Sequence, residues 1–165
     1  MTAPFNVLLS CAGRRNYLVR WFQEALGGSG EVFVADASMQ STAMMEAGNN
    51  AVLLPLVASP DYFDQLLDAC QKRAVRLVVS LNDFELPGLS RQRDRFLQAD
   101  ITPVVSDPDV VDLCFDKWRT FQRRRELGIP VPQTFLGLAS AKEALAAGRL
   151  EFPLIVKPRW GSGSV

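Results

Sequence analysis

The sequence contains no histidine. That absence excludes His-based catalytic triads, histidine metal sites and the commonest general base from this chain. Cysteine is also sparse, since Cys11, Cys70 and Cys114 form an odd set without metal-like spacing. Such a set favours reduced thiols in a cytoplasmic protein. Lysine is scarce as well, with 4 residues against 14 arginines, so that each lysine is conspicuous.

Net charge and long apolar runs are lacking too. The formal net charge is +0 at pH 7, which gives no electrostatic reason to expect nucleic acid or an anionic membrane as a partner. The longest apolar runs, 51–58 and 75–81, are too short to span a bilayer. The N-terminus shows no secretory signal pattern. A hydrophobic content of 48% and a charged content of 22% are typical of a soluble globular protein with a real core.

Short apolar runs alternate with amphipathic segments along most of the chain. The predicted strands of the first part are 5–11, 31–36, 51–56, 76–81 and 101–106. The predicted helices between and after them are 14–26, 41–47, 59–73, 87–98, a short one from 107 and 116–127. This alternation without hairpin signals predicts βαβ units and an open, doubly wound parallel sheet of the α/β class.

Two details complete the predicted secondary structure. Ser59 is expected to be the N-cap of the third helix, with Pro60 at its first position. A further strand, helix and strand at 134–138, 140–147 and 152–157 predict the beginning of a second domain.

The turn after the first strand carries Gly13, Arg14 and Arg15. Ligands of open α/β sheets bind at this edge, over a helix N-terminus that favours anions. Only Gly13 stands where the dinucleotide fingerprint has three glycines, which disfavours a nicotinamide site. A tight turn with two solvated arginines is an equally open interpretation.

Polar residues follow two other predicted strands at the same edge. Asp36 ends the second strand, where it fits either a ribose-binding acid or a helix cap. Asn82, Asp83 and Glu85 follow the fourth strand. With the two arginines they would line one substrate crevice, although Asn-Asp is also ordinary turn chemistry.

The strongest local signal is a lysine followed by a Gly/Ser loop. The residues are Lys157, Gly161, Ser162, Gly163 and Ser164. Glycines let backbone N–H groups approach phosphate oxygens, and the lysine adds a point charge. The loop is not a Walker motif, because its lysine precedes the glycines; a plain turn or a flexible segment is the alternative. Lys117, at a predicted helix start, either faces a phosphate or lies on the surface beside Trp118.

The ordered set of these pieces resembles a known family. The pieces are Gly13-Arg14-Arg15, Asn82-Asp83-x-Glu85, Asp116-Lys117-Trp118, Gly128-Ile-Pro-Val-Pro132-x-Thr134 and Pro153-x-Ile-Val-Lys157-Pro-x-x-Gly161-Ser-Gly163-Ser. Together they resemble the N-terminal portion of an ATP-grasp enzyme, most similar to the carbamoyl-phosphate synthase large-subunit-like group. The resemblance covers the whole chain.

The resemblance implies a Rossmann-like pre-ATP-grasp domain at 1–112 and the beginning of an ATP-grasp domain at 113–165. Lys117 and Lys157 match the two lysines that contact ATP phosphates in such enzymes. Residues 161–164 match the start of the loop that folds over the β- and γ-phosphates. Such ligases join a carboxylate to an amine or thiol through an acyl phosphate, with ATP and Mg²⁺. The ligands of the metal are expected beyond Val165.

We therefore expect the N-terminal fragment of an ADP-forming ligase, cut inside its phosphate loop and inactive alone. The expected partners are small-molecule carboxylate and amine substrates, with a homodimer as the assembly and no nucleic acid or membrane. Two alternatives stay open. One is a nucleotide-sugar or nicotinamide-binding Rossmann enzyme, and the other is a non-catalytic α/β binding module.

Overall fold

The computed structural model describes residues 4–161, and the chain divides into two compact units, Met1–Val111 and Asp112–Val165. The first unit contains a five-stranded sheet in the order β3-β2-β1-β4-β5, in which every pairing is parallel. The predicted open parallel α/β sheet is confirmed. Its strands are β1 (Asn6–Ser10), β2 (Val32–Asp36), β3 (Ala51–Leu53), β4 (Val75–Ser80) and β5 (Thr102–Pro103).

Helices connect the strands. They are α1 (Asn16–Leu26), α2 (Thr42–Ala47), α3 (Tyr62–Lys72), α4 (Leu86–Arg91), α5 (Arg93–Gln98) and α6 (Pro108–Phe115). Local chemistry explains several of their ends. Gly27 ends α1 in the left-handed region, at φ 54°, and its N–H donates to the carbonyls of Gln23 and Glu24 in the last turn. Ser41 caps α2 by accepting the N–H of Met44 at 3.4 Å.

The core lies on both faces of the sheet. Leu8 packs in one buried cluster that includes residues of α3, α4 and α5, whereas Val7 and Leu9 pack in the other, which includes residues of α1 and α2. Successive side chains of a strand point to opposite faces. All five residues of β1 are buried, as expected for a central strand covered on both sides. This explains why the first apolar run shows no polar alternation.

Some predicted bounds in this unit were wrong. The third helix begins at Tyr62, not at Pro60, because Ser59 donates its hydroxyl to the Asp61 carboxylate and caps no helix. The segment predicted as one helix at 87–98 forms α4 and α5, with Gln92 between them. The edge strands β3 and β5 have 3 and 2 residues. Each has a neighbour on one side only, so fewer residues are held in register.

The second unit contains α7 (Lys117–Glu126) and α8 (Leu138–Ala146). The two predicted strands, 134–138 and 152–157, are wrong for the part of the chain that the structure covers, since neither segment pairs with another there. Ile155 is 80% exposed and Val156 is 95% exposed. A strand needs a hydrogen-bonded neighbour, and apolar pattern alone does not supply one. Within residues 4–161 none of the helices is both long and apolar enough to cross a bilayer.

Candidate functional site

The turn after β1 is held by the acid that ends β2. The N–H of Gly13 donates to Asp36 Oδ2 at 2.9 Å, and the N–H of Ser38 donates to Oδ1 at 3.2 Å. Gly13 has a φ of 54°, which favours glycine. The structure therefore brings two predicted site residues together by bonding them to each other. In this arrangement Asp36 shapes the turn, and its contact with a substrate stays a prediction.

Glu85 lies at the carboxyl ends of β1 and β4. Its side chain is fully buried. Oε2 accepts the hydroxyls of Ser10 at 2.9 Å and Ser80 at 2.7 Å, and Oε1 accepts the Tyr62 hydroxyl at 2.9 Å. Three O–H donors thus compensate the loss of water around the carboxylate. The network ties the ends of β1 and β4 to α3, and the contact of Glu85 with a substrate stays a prediction.

Two groups beside Glu85 stay protonated. Burial, with a contribution from the Glu85 charge, raises the pKa of Cys11 to about 12. Burial and then Glu85 also raise the pKa of Tyr62. The Cys11 sulfur lies 3.5 Å from the Tyr62 hydroxyl. Because the thiolate is the reactive form of cysteine, Cys11 is unsuited to act as a nucleophile at neutral pH.

The other predicted crevice residues lie on two neighbouring loops. The N–H of Leu81 donates to the carbonyl of Ser10 at 3.0 Å, so the loop after β4 begins next to the turn after β1. Arg14 and Arg15 are exposed on that turn, whereas Asn82 and Asp83 are half-buried on the loop. Asn82 Oδ1 accepts the N–H of Phe84 at 3.0 Å and thereby shapes the loop. Arg14 and Arg15 thus place two exposed cations at this edge.

In the second unit, the structure brings Lys117 to the predicted glycine loop. Lys117 Nζ donates to the carbonyl of Gly161 at 2.5 Å, and its backbone N–H donates to the carbonyl of Arg159 at 3.1 Å. Two residues 44 positions apart in the chain therefore meet at the root of the loop. Lys157 is exposed. The remaining predicted loop residues, Ser162, Gly163 and Ser164, lie outside the described residues.

Asp116 and Arg159 form a bidentate ion pair beside this contact. Arg159 Nε donates to Oδ1 at 2.9 Å and Nη2 donates to Oδ2 at 2.6 Å. Asp116 also caps α7, since Oδ1 accepts the N–H groups of Trp118 at 2.9 Å and Arg119 at 3.3 Å. These hydrogen bonds, the one from Arg159 above all, lower the pKa of Asp116 to about 2.

Sequence reasoning missed the role of Arg159, because nothing local links two residues 43 positions apart. The one available signal was the acid directly before a helix start, which is typical of an N-cap. Among residues 4–161, no three His, Cys, Asp or Glu side chains lie together as a metal site would need.

Comparison with known families identifies the first unit. The family model of the PylC-like N-terminal domain matches residues 7–104, more than half of the chain. The chain belongs to the PylC-like N-terminal domain family. The predicted resemblance to the N-terminal part of an ATP-grasp enzyme is thereby confirmed.

Solved structures share the fold of this PylC-like chain. The biotin carboxylase domain of a single-chain bacterial carboxylase superimposes with a TM-score of 0.62 at 24% identity, over 87% of this chain and 34% of that one. The biotin carboxylase subunit of a pyruvate carboxylase gives 0.55 at 18% identity, over 92% and 34%. The biotin carboxylase domain dimer of Hydrogenobacter thermophilus 2-oxoglutarate carboxylase, in complex with MgADP, ADP and bicarbonate, gives 0.57 at 16% identity, over 93% and 34%. The chain thus spans about a third of the length of these proteins.

Proposed function

We propose that this chain forms part of an ATP-dependent ligase that joins a carboxylate to an amine or thiol through an acyl phosphate. The observation that carries the proposal is the contact between Lys117 Nζ and the carbonyl of Gly161. It sets a positive charge at the root of a glycine loop, which is the combination that phosphate groups need. The PylC-like family supports the proposal, as does the MgADP bound by a protein of the same fold.

In the proposed site, Lys117 and Lys157 contact the ATP phosphates, and the loop 161–164 covers them. Backbone N–H groups of the loop would donate to phosphate oxygens as charge develops there. Lys117 would exchange a neutral carbonyl, that of Gly161, for a charged phosphate oxygen. Because the charged acceptor is the stronger one, the exchange favours nucleotide binding.

Magnesium accompanies ATP in phosphoryl transfer and neutralises the transferred group. The described residues do not fit a magnesium site by themselves, since no acidic cluster exists among them. The metal ligands are therefore proposed to lie outside residues 4–161.

The acid substrate is proposed to bind at the sheet edge of the first unit. Arg14 and Arg15 are exposed there and supply the positive charge that a carboxylate needs. Gly13, Asp36, Asn82, Asp83 and Glu85 are proposed to complete that substrate site, and contacts of Gly13, Asp36, Asn82 and Glu85 shape the loops around it. A homodimer in the cytoplasm is proposed as the assembly. The dimer of the Hydrogenobacter thermophilus domain supports the assembly. The three free cysteines support the cytoplasm as the compartment.

Replacement of Lys157 tests the function. In the intact protein, Lys157→Ala should abolish the ATP hydrolysis that depends on a carboxylate substrate, because the variant lacks one of two charges on the phosphates. Release of inorganic phosphate measures the loss. Lys142→Ala, which removes an exposed lysine of α8, is the matched control and should keep full activity. Unchanged turnover in Lys157→Ala would contradict the assignment, and saturable NAD(P) binding without ATP binding would favour the oxidoreductase alternative.

A further inference from the structure

Residues 159–161 are fastened to the start of α7 by four hydrogen bonds. Two are the bonds from Arg159 to the Asp116 carboxylate, and two are the bonds that Lys117 donates to the carbonyls of Arg159 and Gly161. We propose that Asp116 and Arg159 are a positioning pair that fixes the root of the glycine loop against Lys117. This inference rests on the proposed function, and it adds two residues to the nucleotide site.

The geometry of the pair suits positioning. Asp116 is 5% exposed, and each of its oxygens receives a different N–H of the Arg159 guanidinium. A planar fork on a carboxylate fixes both distance and orientation, which a single lysine contact does not. The guanidinium also lies over the Trp160 ring, 4.7 Å from its centroid. Arg159 is thereby held from two sides.

The segment that leads into the loop offers little other anchorage. Phe152, Ile155 and Val156 are 76%, 80% and 95% exposed. Solvent-exposed apolar side chains do not hold a backbone in place. The position of the loop root therefore depends mainly on the contacts of Arg159 and Lys117 with one another and with Asp116.

The charges assign different roles to the two cations. Arg159 shares its charge with Asp116, so little of it is available for a second anion. Lys117 faces a neutral carbonyl and keeps its full charge for a phosphate. In this arrangement Lys117 is the phosphate ligand, whereas Arg159 acts through the backbone that it holds.

Hydrogen exchange tests the positioning without any nucleotide. The amide of Lys117 donates to the carbonyl of Arg159, and it should exchange faster in both Arg159→Ala and Asp116→Asn. Asparagine still caps a helix, so the amide of Trp118 should stay protected in Asp116→Asn and lose protection only in Asp116→Ala. Unchanged exchange at Lys117 in Arg159→Ala would overturn the inference.

Nucleotide affinity of the intact protein tests the functional part. Arg159→Ala should weaken binding of a non-hydrolysable ATP analogue roughly tenfold or more, as loss of a charged hydrogen-bonded pair implies. Arg159→Lys should recover only part of the affinity, because it keeps the charge without the fork. Arg124→Ala, which removes an exposed arginine of α7, is the matched control and should bind normally.

The combined variant separates positioning from direct binding. If Arg159 acts through Asp116, the double variant Asp116→Asn/Arg159→Ala should bind no worse than Arg159→Ala alone. Additive losses would overturn the inference and make Arg159 a phosphate ligand itself. If the unaltered protein binds ATP and Arg159→Ala binds it equally well, positioning fails and the proposed function stands. If the unaltered protein binds no ATP, both fail.

Discussion

At the scale of single residues, Asp116 links stability to pH. Hydrogen bonds from Arg159 and from two backbone N–H groups lower its pKa from 3.8 to about 2. A depressed folded-state pKa stabilises the native state above the unfolded value, and the contribution is lost as pH falls through the folded value. The contribution of Asp116 to the stability of the second unit should therefore be lost between these two pKa values.

We expect the free energy of unfolding of the unaltered protein to exceed that of Asp116→Asn at pH 5. The difference should shrink as the pH falls from about 4 to about 2, because Asp116 is then protonated and the ion pair is lost. Urea unfolding at a series of pH values measures the difference. Other carboxylates titrate in both proteins and cancel in the comparison. A difference that stays constant down to pH 2 would show that the pair does not contribute.

Residue types at strand ends were sufficient to predict which polar residues lie together at the carboxyl ends of the strands, whereas the substrate crevice there stays a prediction. Polar residues after β1, β2 and β4 must meet there in a parallel sheet, whatever their contacts. Their individual bonds were not predictable. Whether Asp36 faces a ligand or the N–H of Gly13 depends on a turn geometry that its own neighbours do not determine. Likewise, the burial of Glu85 depends on hydroxyls contributed by β1, β4 and α3.

At the scale of elements, the packing of α4 on α3 depends on one glycine. A Cβ at Gly88 would lie 2.3 Å from both Cε2 and Cζ of Phe63. The contact distance between these helices therefore excludes any side chain at position 88 unless the Phe63 ring moves.

The sign of the change in unfolding free energy for Gly88→Ala tests this packing. In an open helix, the change from glycine to alanine stabilises by about 0.5–1 kcal/mol. Here we expect a loss of about 1–3 kcal/mol, because the core is overpacked. Thermal or urea unfolding measures the change. In a Phe63→Leu background the same alanine should cost less, as expected for residues in contact. Stabilisation by Gly88→Ala alone would contradict the packing.

Helices and central strands were predictable from the sequence, whereas isolated strands were not. The apolar residues of α1 recur at helical spacing, and those of β1 form a continuous run, so both follow from local pattern. The segments 134–138 and 152–157 have an equally apolar pattern and no strand partner within the described range. Pairing is a property of two segments, and one segment cannot reveal it.

At the scale of the whole molecule, the alternation of strands and helices determined the class of the fold. Right-handed crossovers between parallel strands leave few topologies to choose from. The order of the strands came from the structure, as did the contacts between α7 and residues 159–161. Those contacts join residues more than 40 positions apart. Composition and local spacing therefore do not predict them.

The three thiols report on global folding. Cys70 is fully buried, and burial raises its pKa to about 12, as it does for Cys11. Cys114 is exposed. At pH 8 we expect Cys114 to react rapidly with a disulfide reagent and Cys70 to react only when the first unit unfolds, whereas the half-buried Cys11 should react slowly because its pKa is raised. Absorbance of the released thiol counts them. Cys114→Ser should remove the rapid phase, and three rapid thiols in the folded protein would contradict the described core.

The strand order has a consequence during synthesis. β1 is made first, yet it occupies the centre of the sheet, with β2 on one side and β4 on the other. A nascent chain that has reached Leu53 but not Val75 therefore carries a strand with an apolar centre, Val7–Leu9, and one unpaired edge. Ribosomes need roughly one to four seconds to cover that interval. During this time β1 is an aggregation-prone edge that chaperones would bind, and the arrival of β4 closes it.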